Sequence, residues 1–269
     1  MLFIQTELCE LGNLSDFLSE FGKQFNRLDE PRIWKIMSEV GNGILHIHHQ
    51  NIIHLDLKPE NIFVTMEGRL RIGDFGMATR WPRPASFDGE NASRGSLDRE
   101  GDREYLAPEI LQGQYGREAD IFSFGMIMLE CAGNIVVPSM GPAWHNLRNK
   151  NFSDVDLSGL TPSLVDMITR LMEPLPERRP LIDQVCGHPV VQRTRRMMLQ
   201  NIEVVRRASA NLLNEALPDQ LEAARETATK ALFSASACGT EDSEFFDKMF
   251  ESDNDDEGSS TEDERMDLS

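Results

Sequence analysis

Three short groups of residues occur in a fixed order in the middle of the chain, and they limit its possible folds more than any other feature. The groups are His54-Leu-Asp-Leu-Lys-Pro-Glu-Asn61, Asp74-Phe-Gly76 and Ala107-Pro-Glu109. Short strands are predicted around residues 62–64 and 70–72, with a glycine-containing turn between them. This strand–turn–strand spacing places the first two groups on adjacent loops.

Together the three groups resemble the signature set of protein kinases, although each alone would be weak evidence. The resemblance implies transfer of a phosphoryl group from ATP, in which positioning and charge neutralisation provide most of the catalysis. It gives Asp56 the role of orienting the attacking hydroxyl and accepting its proton, and Lys58 that of neutralising charge on the transferred group. Asn61, the third catalytic residue, and Asp74 would supply the hard oxygen ligands that Mg²⁺ needs.

The first residues of the chain look like the hinge of a kinase and predict an apolar strand over residues 1–9. On this resemblance, the backbone groups of Glu7 and Cys9 hydrogen-bond the adenine of ATP, and Phe63 lies under the ring as an apolar floor. Simple core packing is the alternative for Phe63. Asp16 is either a ribose ligand or a solvated carboxylate at the start of a helix.

Apolar periodicity predicts a mainly helical body. Apolar residues between positions 33 and 47 recur at spacings of three and four after the start signal Asp29-Glu-Pro31, which indicates a helix with one buried face. Residues 107–191 have a mainly helical pattern with Pro and Gly at the joints. The expected fold class is α+β: a protein-kinase-like fold, mainly the α-helical C-lobe with the hinge strand, plus a C-terminal helical extension and a disordered tail.

The expected boundaries are a protein kinase domain at 1–192, a helical extension at 193–233 and an acidic disordered tail at 234–269. Residues 241–269 carry thirteen acidic and two basic side chains, which is −11 of the chain's net charge of −18. Such a composition cannot bury enough apolar surface to order itself. The insert at 83–99 is rich in Ser, Gly and Asp and predicts a mobile excursion of the activation loop.

Other positions that match the kinase pattern have architectural roles. Asp120, at the start of the central buried helix, is expected to hold the backbone of the catalytic loop. Glu109 and Arg179 are expected to form a buried ion pair, which is costly to break from one side. The histidines at 46, 48 and 49 lie on one helix without carboxylate or cysteine ligands, so we expect no metal site there.

Departures from the general kinase pattern resemble the Wee and Myt family of mitosis-inhibiting kinases. Leu55 stands where most kinases have Arg before the catalytic Asp, and residues 100–102 are the E-G-D run of that family. Residues 74–82 look closest to fungal Wee kinases. The family's downstream spacing is repeated by Ala132-Gly-Asn134, Pro138, Gly141, Trp144 and Leu147-Arg148.

The family resemblance implies phosphorylation of the inhibitory tyrosine of a cyclin-dependent kinase, with ATP and Mg²⁺ as cofactors and a nuclear and/or cytoplasmic location. Myt kinases are membrane-anchored, and the lack of a membrane segment in this sequence favours a Wee kinase over a Myt kinase. We therefore expect no membrane partner. The net charge of −18 argues against nucleic acid as a direct partner. Lys58 after Asp56 is typical of serine/threonine kinases, so an ordinary kinase of that class is an alternative.

No glycine-rich loop and no V-A-I-K-type lysine precede the hinge in this sequence. We therefore expect most of the N-lobe to be missing, either because the sequence is incomplete or because the protein is naturally truncated, and we expect the 269 residues alone to show little activity. A further alternative is a non-catalytic module that binds a cyclin-dependent kinase.

Leu55 also predicts how the enzyme is activated. An arginine at this position usually captures a phosphate on the activation loop through charge-assisted hydrogen bonds. Leucine cannot do so. We therefore expect activity without activation-loop phosphorylation, with Glu100 and Asp102 holding the loop instead.

Overall fold

Helices dominate the described part of the chain. The computed structural model describes residues 3, 5–9, 11–24, 27–65, 68–82 and 101–200. The helices are α1 (Leu14–Gln24), α2 (Glu30–His49), α3 (Arg117–Gly133), α4 (Gly141–Arg148), α5 (Pro162–Leu171) and α6 (Ile182–Gly187). Residues 189–200 are also helical, so the described beginning of the expected extension agrees with a helix.

The strands are short and antiparallel. They are β1 (Ile52–Ile53), β2 (Ile62–Val64), β3 (Leu70–Ile72) and β4 (Thr79–Arg80), with β1 paired to β4 and β2 paired to β3. The β2–β3 hairpin confirms the predicted strand–turn–strand. The prediction of an opening strand was wrong for residues 3 and 5–9, which belong to neither helix nor strand. A strand needs a hydrogen-bonded neighbour, and in the described residues none pairs with this segment.

Helix α3 forms the centre of the core because it is apolar on nearly all sides. It packs against α2 and α5, while α2 also contacts α6 and β3. Met126, Ile127 and Met128 of this helix are fully buried. A helix buried in this way is a rigid support for groups attached to its start.

Helix α2 begins where the sequence predicts. The side chain of Asp29 accepts a hydrogen bond from the Arg32 amide at 3.2 Å, and Pro31 occupies the first turn. The buried face includes Ile33, Val40 and Ile44. The helix ends at His49, and Asn51 adopts a left-handed conformation that turns the chain into β1. Helix α2 is therefore followed, after β1, by the loop at residues 54–61.

Several expectations concern residues outside the described part of the chain. These are the insert at 83–99, the extension beyond residue 200 and the acidic tail. Within the described residues, none of the helices has both the length and the apolar character that crossing a membrane requires.

Candidate active site

The loop at residues 54–61, between β1 and β2, is held by one buried carboxylate at the start of α3. The two oxygens of Asp120 accept hydrogen bonds from the amides of His54 and Leu55, both at 2.8 Å. These bonds hold Leu55 in a left-handed conformation, with φ of 64°, that costs a residue with a side chain about 1–2 kcal/mol. The expected role of Asp120 as the support of this loop is confirmed.

His48 is a supporting residue that the sequence reasoning missed. Its Nε2 atom lies 2.8 Å from Oδ2 of Asp120, and both side chains are almost fully buried. The apolar periodicity of α2 could have identified it, because His48 lies on the buried face of that helix. Only the packing of α2 against α3 shows which partner it meets.

His54 connects this loop to the segment before Asp74. Its Nε2 atom lies 3.0 Å from the carbonyl oxygen of Gly73, and its Nδ1 atom is 3.3 Å from the amide of Asp56. A carbonyl oxygen only accepts and an amide only donates, so these partners assign the ring proton to Nε2. The ring also contacts that of Phe75 at 5.0 Å between centroids.

Both oxygens of the Asp56 carboxylate accept hydrogen bonds. The amide of Asp102 donates to Oδ1 at 3.0 Å, and Nδ2 of Asn61 donates to Oδ2 at 3.0 Å. Asn61 Nδ2 also donates to the main-chain carbonyl of Asp56 at 2.8 Å. The carboxylate is thereby fixed in orientation, with Lys58 Nζ 3.8 Å from Oδ2. The structure brings together the three predicted catalytic residues.

Lys58 makes its shortest contact with Asp102, whose Oδ2 lies 3.1 Å from Nζ. Burial alone would lower the pKa of Lys58, but the hydrogen bond to Asp102 and the charges of Asp56 and Asp102 raise it overall. The side chain therefore stays cationic at neutral pH. Asp102 thus contacts both predicted catalytic groups, Asp56 through its amide and Lys58 through its carboxylate.

Gly101 allows this close approach of the E-G-D segment to the catalytic loop. A Cβ atom built on Gly101 would lie 2.4 Å from the carbonyl oxygen of Leu55 and 3.3 Å from Oδ1 of Asp56. The first distance is shorter than real Cβ contacts, and its partner is backbone that cannot easily move. Position 101 of the E-G-D segment therefore requires glycine for a steric reason. Glu100 lies outside the described residues.

The two predicted magnesium ligands lie on loops joined by a hydrogen bond. The amide of Gly73 donates to the carbonyl of Asn61 at 2.9 Å, directly before Asp74. Asp74 is exposed and left-handed, and its Oδ1 accepts from the Gly76 amide at 3.2 Å. One carboxylate and one amide oxygen suit Mg²⁺, which usually takes few protein ligands and fills its shell with phosphate oxygens and water.

Phe63 lies beside this loop. A Cβ atom on Gly73 would come within 2.7 Å of the Phe63 ring, and Phe63 also forms a β-bridge with Asn13. The main chain of Phe63 therefore pairs with the segment before α1, and its half-buried ring lies against the residue preceding Asp74. This position suits the floor of a nucleotide site as well as packing, so the adenine role of Phe63 stays a prediction.

Glu7 and Cys9 lie in the segment before α1. The carbonyl of Cys9 accepts from the Gly12 amide at 3.4 Å, and the exposed side chain of Glu7 pairs with Arg71 at 3.3 Å. Their backbone contacts with adenine stay a prediction. Asp16 is exposed in the first turn of α1, which agrees with either interpretation of that residue.

Glu109 and Arg179 form the predicted buried ion pair. Both guanidinium Nη atoms contact the carboxylate oxygens, at 2.5 and 2.8 Å. Arg179 Nη1 also donates to the carbonyl of Glu118 at 2.8 Å. The pair joins the Ala107–Glu109 group to the start of α3, close in sequence to Asp120.

The protein kinase domain family matches residues 1–191 of the chain. The mitosis inhibitor protein kinase wee1 of Schizosaccharomyces pombe is 45% identical over 206 residues, which is 68% of this chain and 22% of that protein. The mitosis inhibitor protein kinase SWE1 of Saccharomyces cerevisiae is 47% identical over 156 residues, covering 56% of this chain and 18% of that protein.

A more distant relative is a membrane-associated tyrosine- and threonine-specific cdc2-inhibitory kinase, wee-1.3 of Caenorhabditis elegans. It is 35% identical over 192 residues, which is 71% of this chain and 26% of that protein. The chain therefore spans about a quarter or less of the length of these relatives.

Proposed function

This chain belongs to the protein kinase family, and we propose that it transfers the γ-phosphate of ATP to the inhibitory tyrosine of a cyclin-dependent kinase, which restrains entry into mitosis. The observation that carries the proposal is the Asp56 carboxylate, which is hydrogen-bonded at both oxygens and lies 3.8 Å from the Lys58 ammonium. An oriented carboxylate beside a cation is what transfer of a phosphoryl group to a hydroxyl requires.

In this proposal each side chain acts on a different part of the reaction. Asp56 orients the acceptor hydroxyl and takes its proton, while Lys58 stabilises the charge that develops on the transferred group. Asn61 and Asp74 would hold Mg²⁺, which when bound would supply further charge neutralisation. The main chain at Glu7 and Cys9 binds the adenine over Phe63.

The choice of acceptor rests on the relatives and not on the catalytic loop. Lys58 after Asp56 is typical of serine/threonine kinases, whereas similarity to mitosis inhibitor kinases, and to one named as tyrosine- and threonine-specific and cdc2-inhibitory, favours tyrosine. We also propose domain boundaries at 1–192, 193–233 and 234–269, a nuclear and/or cytoplasmic location, and a cyclin-dependent kinase and ATP as partners.

The test is phosphate transfer by the native protein, purified from its own cells through a tag, to a catalytically inactive cyclin-dependent kinase. Mass spectrometry of the acceptor identifies the phosphorylated residue. We expect phosphotyrosine with the wild-type protein and none above background with Asp56→Asn. Phosphate on serine or threonine alone would favour the ordinary serine/threonine kinase. Equal transfer by Asp56→Asn would contradict the assigned role of Asp56.

A matched variant separates catalysis from nucleotide binding. Asp74→Asn should weaken Mg²⁺-dependent binding of ATP, whereas Asp56→Asn should leave it largely intact because Asp56 acts on the acceptor. Calorimetry with ATP and Mg²⁺ measures the nucleotide affinity of both variants. If the wild-type protein binds a cyclin-dependent kinase but transfers no phosphate to it, the non-catalytic binding module is the better account.

A further inference from the structure

We propose that Trp144 and Arg148 are positioning residues that hold the backbone of residues 103–106 and thereby keep the Asp102 amide on the Asp56 carboxylate. Both side chains lie on α4, outside the catalytic loop. The inference deepens the proposed function, because it explains how the catalytic carboxylate is held in a loop where Leu55 replaces the usual phosphate-binding arginine.

The hydrogen bonds of Arg148 converge on this backbone. Its Nε atom donates to the carbonyl of Leu106 at 3.0 Å, and its Nη2 atom donates to those of Arg103 and Glu104 at 2.8 and 3.1 Å. The indole Nε1 of Trp144 donates to the same Arg103 carbonyl at 2.8 Å. Two side chains of α4 therefore hold three carbonyl groups of the segment.

The fourth carbonyl of the segment is held from α3. The hydroxyl of Ser123 donates to the carbonyl of Tyr105 at 2.8 Å. All four consecutive carbonyl groups from 103 to 106 thus accept a hydrogen bond from a side chain of α3 or α4. These hydrogen bonds fix the peptide planes of the segment, and they satisfy the carbonyls of the buried residues Tyr105 and Leu106.

Arg148 is unusual because it is charged and 3% exposed, and because its hydrogen bonds within the described part of the chain all go to carbonyl oxygens. Buried charges are normally paired with an opposite charge, and among the described residues no carboxylate forms an ion pair with it. The guanidinium instead lies 3.6 Å from the centre of the Trp144 ring. Burial lowers the pKa of Arg148. The five donors of a guanidinium form a planar fork that fits these carbonyls, and lysine has no equivalent.

The held segment continues directly into the active site. Arg103 follows Asp102 in the chain, and its carbonyl accepts hydrogen bonds from both Arg148 and Trp144. The Asp102 amide donates to Asp56 at 3.0 Å, and the Asp102 carboxylate contacts Lys58 at 3.1 Å. A shift of the Arg103 peptide would therefore move the donor that orients Asp56. This is how two residues that touch neither substrate nor cofactor act on the catalytic geometry.

The alternative is that Arg148 only anchors α4 to the core. In that case its loss would lower global stability without a selective effect on residues 102–106 or on the rate of transfer. The test compares Arg148→Lys and Trp144→Phe with Arg170→Lys, a matched control at an exposed arginine paired with Asp166. Trp144→Phe removes the indole donor and keeps an aromatic ring, so it still tests the contact with the Arg103 carbonyl if Arg148→Lys fails to fold.

Hydrogen exchange of the full chain, followed by mass spectrometry, measures the backbone directly. We expect exchange across residues 102–107 to accelerate about tenfold or more in Arg148→Lys and Trp144→Phe, while peptides of α2 and α3 stay as in the wild type. Arg170→Lys should match the wild type throughout. Unchanged exchange at 102–107 in a folded variant, or acceleration spread equally over α3, would overturn the proposal.

Kinetics of the native protein supply the second readout. Per folded molecule, kcat should fall about tenfold or more in both variants while KM for ATP changes less than about twofold, because only the acceptor side is displaced. An unchanged kcat despite faster exchange would also overturn the proposal. If the wild-type protein transfers no phosphate at all, the proposed function fails, whereas the exchange data still decide whether Trp144 and Arg148 hold the backbone of residues 103–106.

Discussion

The catalytic loop at 54–61 and the segment around Asp74 lie side by side, yet they are supported very differently. The catalytic loop is attached to buried side chains, with Asp120 binding its backbone and Asn61 binding Asp56. Asp74 and Phe75 are exposed, and Asp74 accepts a local hydrogen bond from Gly76, two residues away. The acceptor side of the site is therefore organised by the described residues, whereas its nucleotide side has far less support from them.

This difference shows where the fold contributes to catalysis. An oriented carboxylate retains its position without reorganisation during the reaction, which is the main advantage of a preorganised site. In the proposed function, the exposed loop around Asp74 would instead gain order from the metal and phosphate oxygens that it binds. Mutations on the two sides should accordingly differ in their effects on stability and on nucleotide binding.

The largest contrast is expected from Asp120→Ala. It leaves the amides of His54 and Leu55 and the ring of His48 without their buried partner, so the free energy of unfolding should fall by about 3–5 kcal/mol. Asp74→Ala removes an exposed carboxylate together with its hydrogen bond from the Gly76 amide, and it should lower the free energy of unfolding by only about 1 kcal/mol. Urea unfolding of the full chain measures both. Equal losses for the two variants would mean that the two sides are supported alike.

A second contrast concerns Gly101. In Gly101→Ala the new methyl group would meet the Leu55 carbonyl, and the segment must shift, which displaces the Asp102 amide from Asp56. We expect a loss of rate on the order of 100-fold with the fold intact. Gly187→Ala is the matched control, because a Cβ there meets no atom within 4 Å. The measurement is the rate of phosphate transfer by the native protein and by each variant. Full activity in Gly101→Ala would show that the close approach of residue 101 to Leu55 is unimportant.

Parts of this arrangement could be predicted from residue pattern alone. The helix after Asp29, the β2–β3 hairpin and the Glu109–Arg179 ion pair follow from periodicity and from motifs with known partners. The pairing of His48 with Asp120 could not be predicted, because a histidine on a buried helix face has many possible partners. Nor could the approach of Gly101 to Leu55, which depends on how two distant segments pack.

The opening strand shows the opposite kind of failure. Residues 1–9 have the apolar pattern of a strand, but the described ones lack a neighbouring strand to pair with. Local pattern reports what a segment prefers, whereas strand formation depends on a partner elsewhere in the chain. The same limit applies to Arg148, whose position in a family spacing was visible but whose carbonyl partners were not.

A further expected effect is a pH dependence of stability that originates next to the acceptor side. The hydroxyl of Tyr105 donates to Glu130 at 2.7 Å, and burial raises the pKa of Glu130 to about 7, from an ordinary 4.5. Because the folded state binds this proton more tightly, its contribution to stability is full below pH 4.5 and is lost as the pH rises through 7.

Glu130→Gln should therefore remove part of the decline in stability between pH 4.5 and 7 and leave the slope above pH 8 unchanged. Thermal unfolding across that range, with Glu20→Gln as a control at an exposed carboxyl group, measures the difference. Identical pH profiles for wild type and Glu130→Gln would show that this carboxyl group does not titrate in the window.

The central claim is that backbone contacts, and not a phosphate on the activation loop, hold the acceptor side of this site. The most direct measurement is the initial rate of phosphate transfer by the native protein before and after phosphatase treatment. Mass spectrometry must show that residues 74–109 carry no phosphate after treatment. We predict an unchanged rate, because Leu55 cannot bind a phosphate and Asp102 already holds Asp56 and Lys58. Loss of activity that follows removal of a phosphate from these residues would contradict the claim.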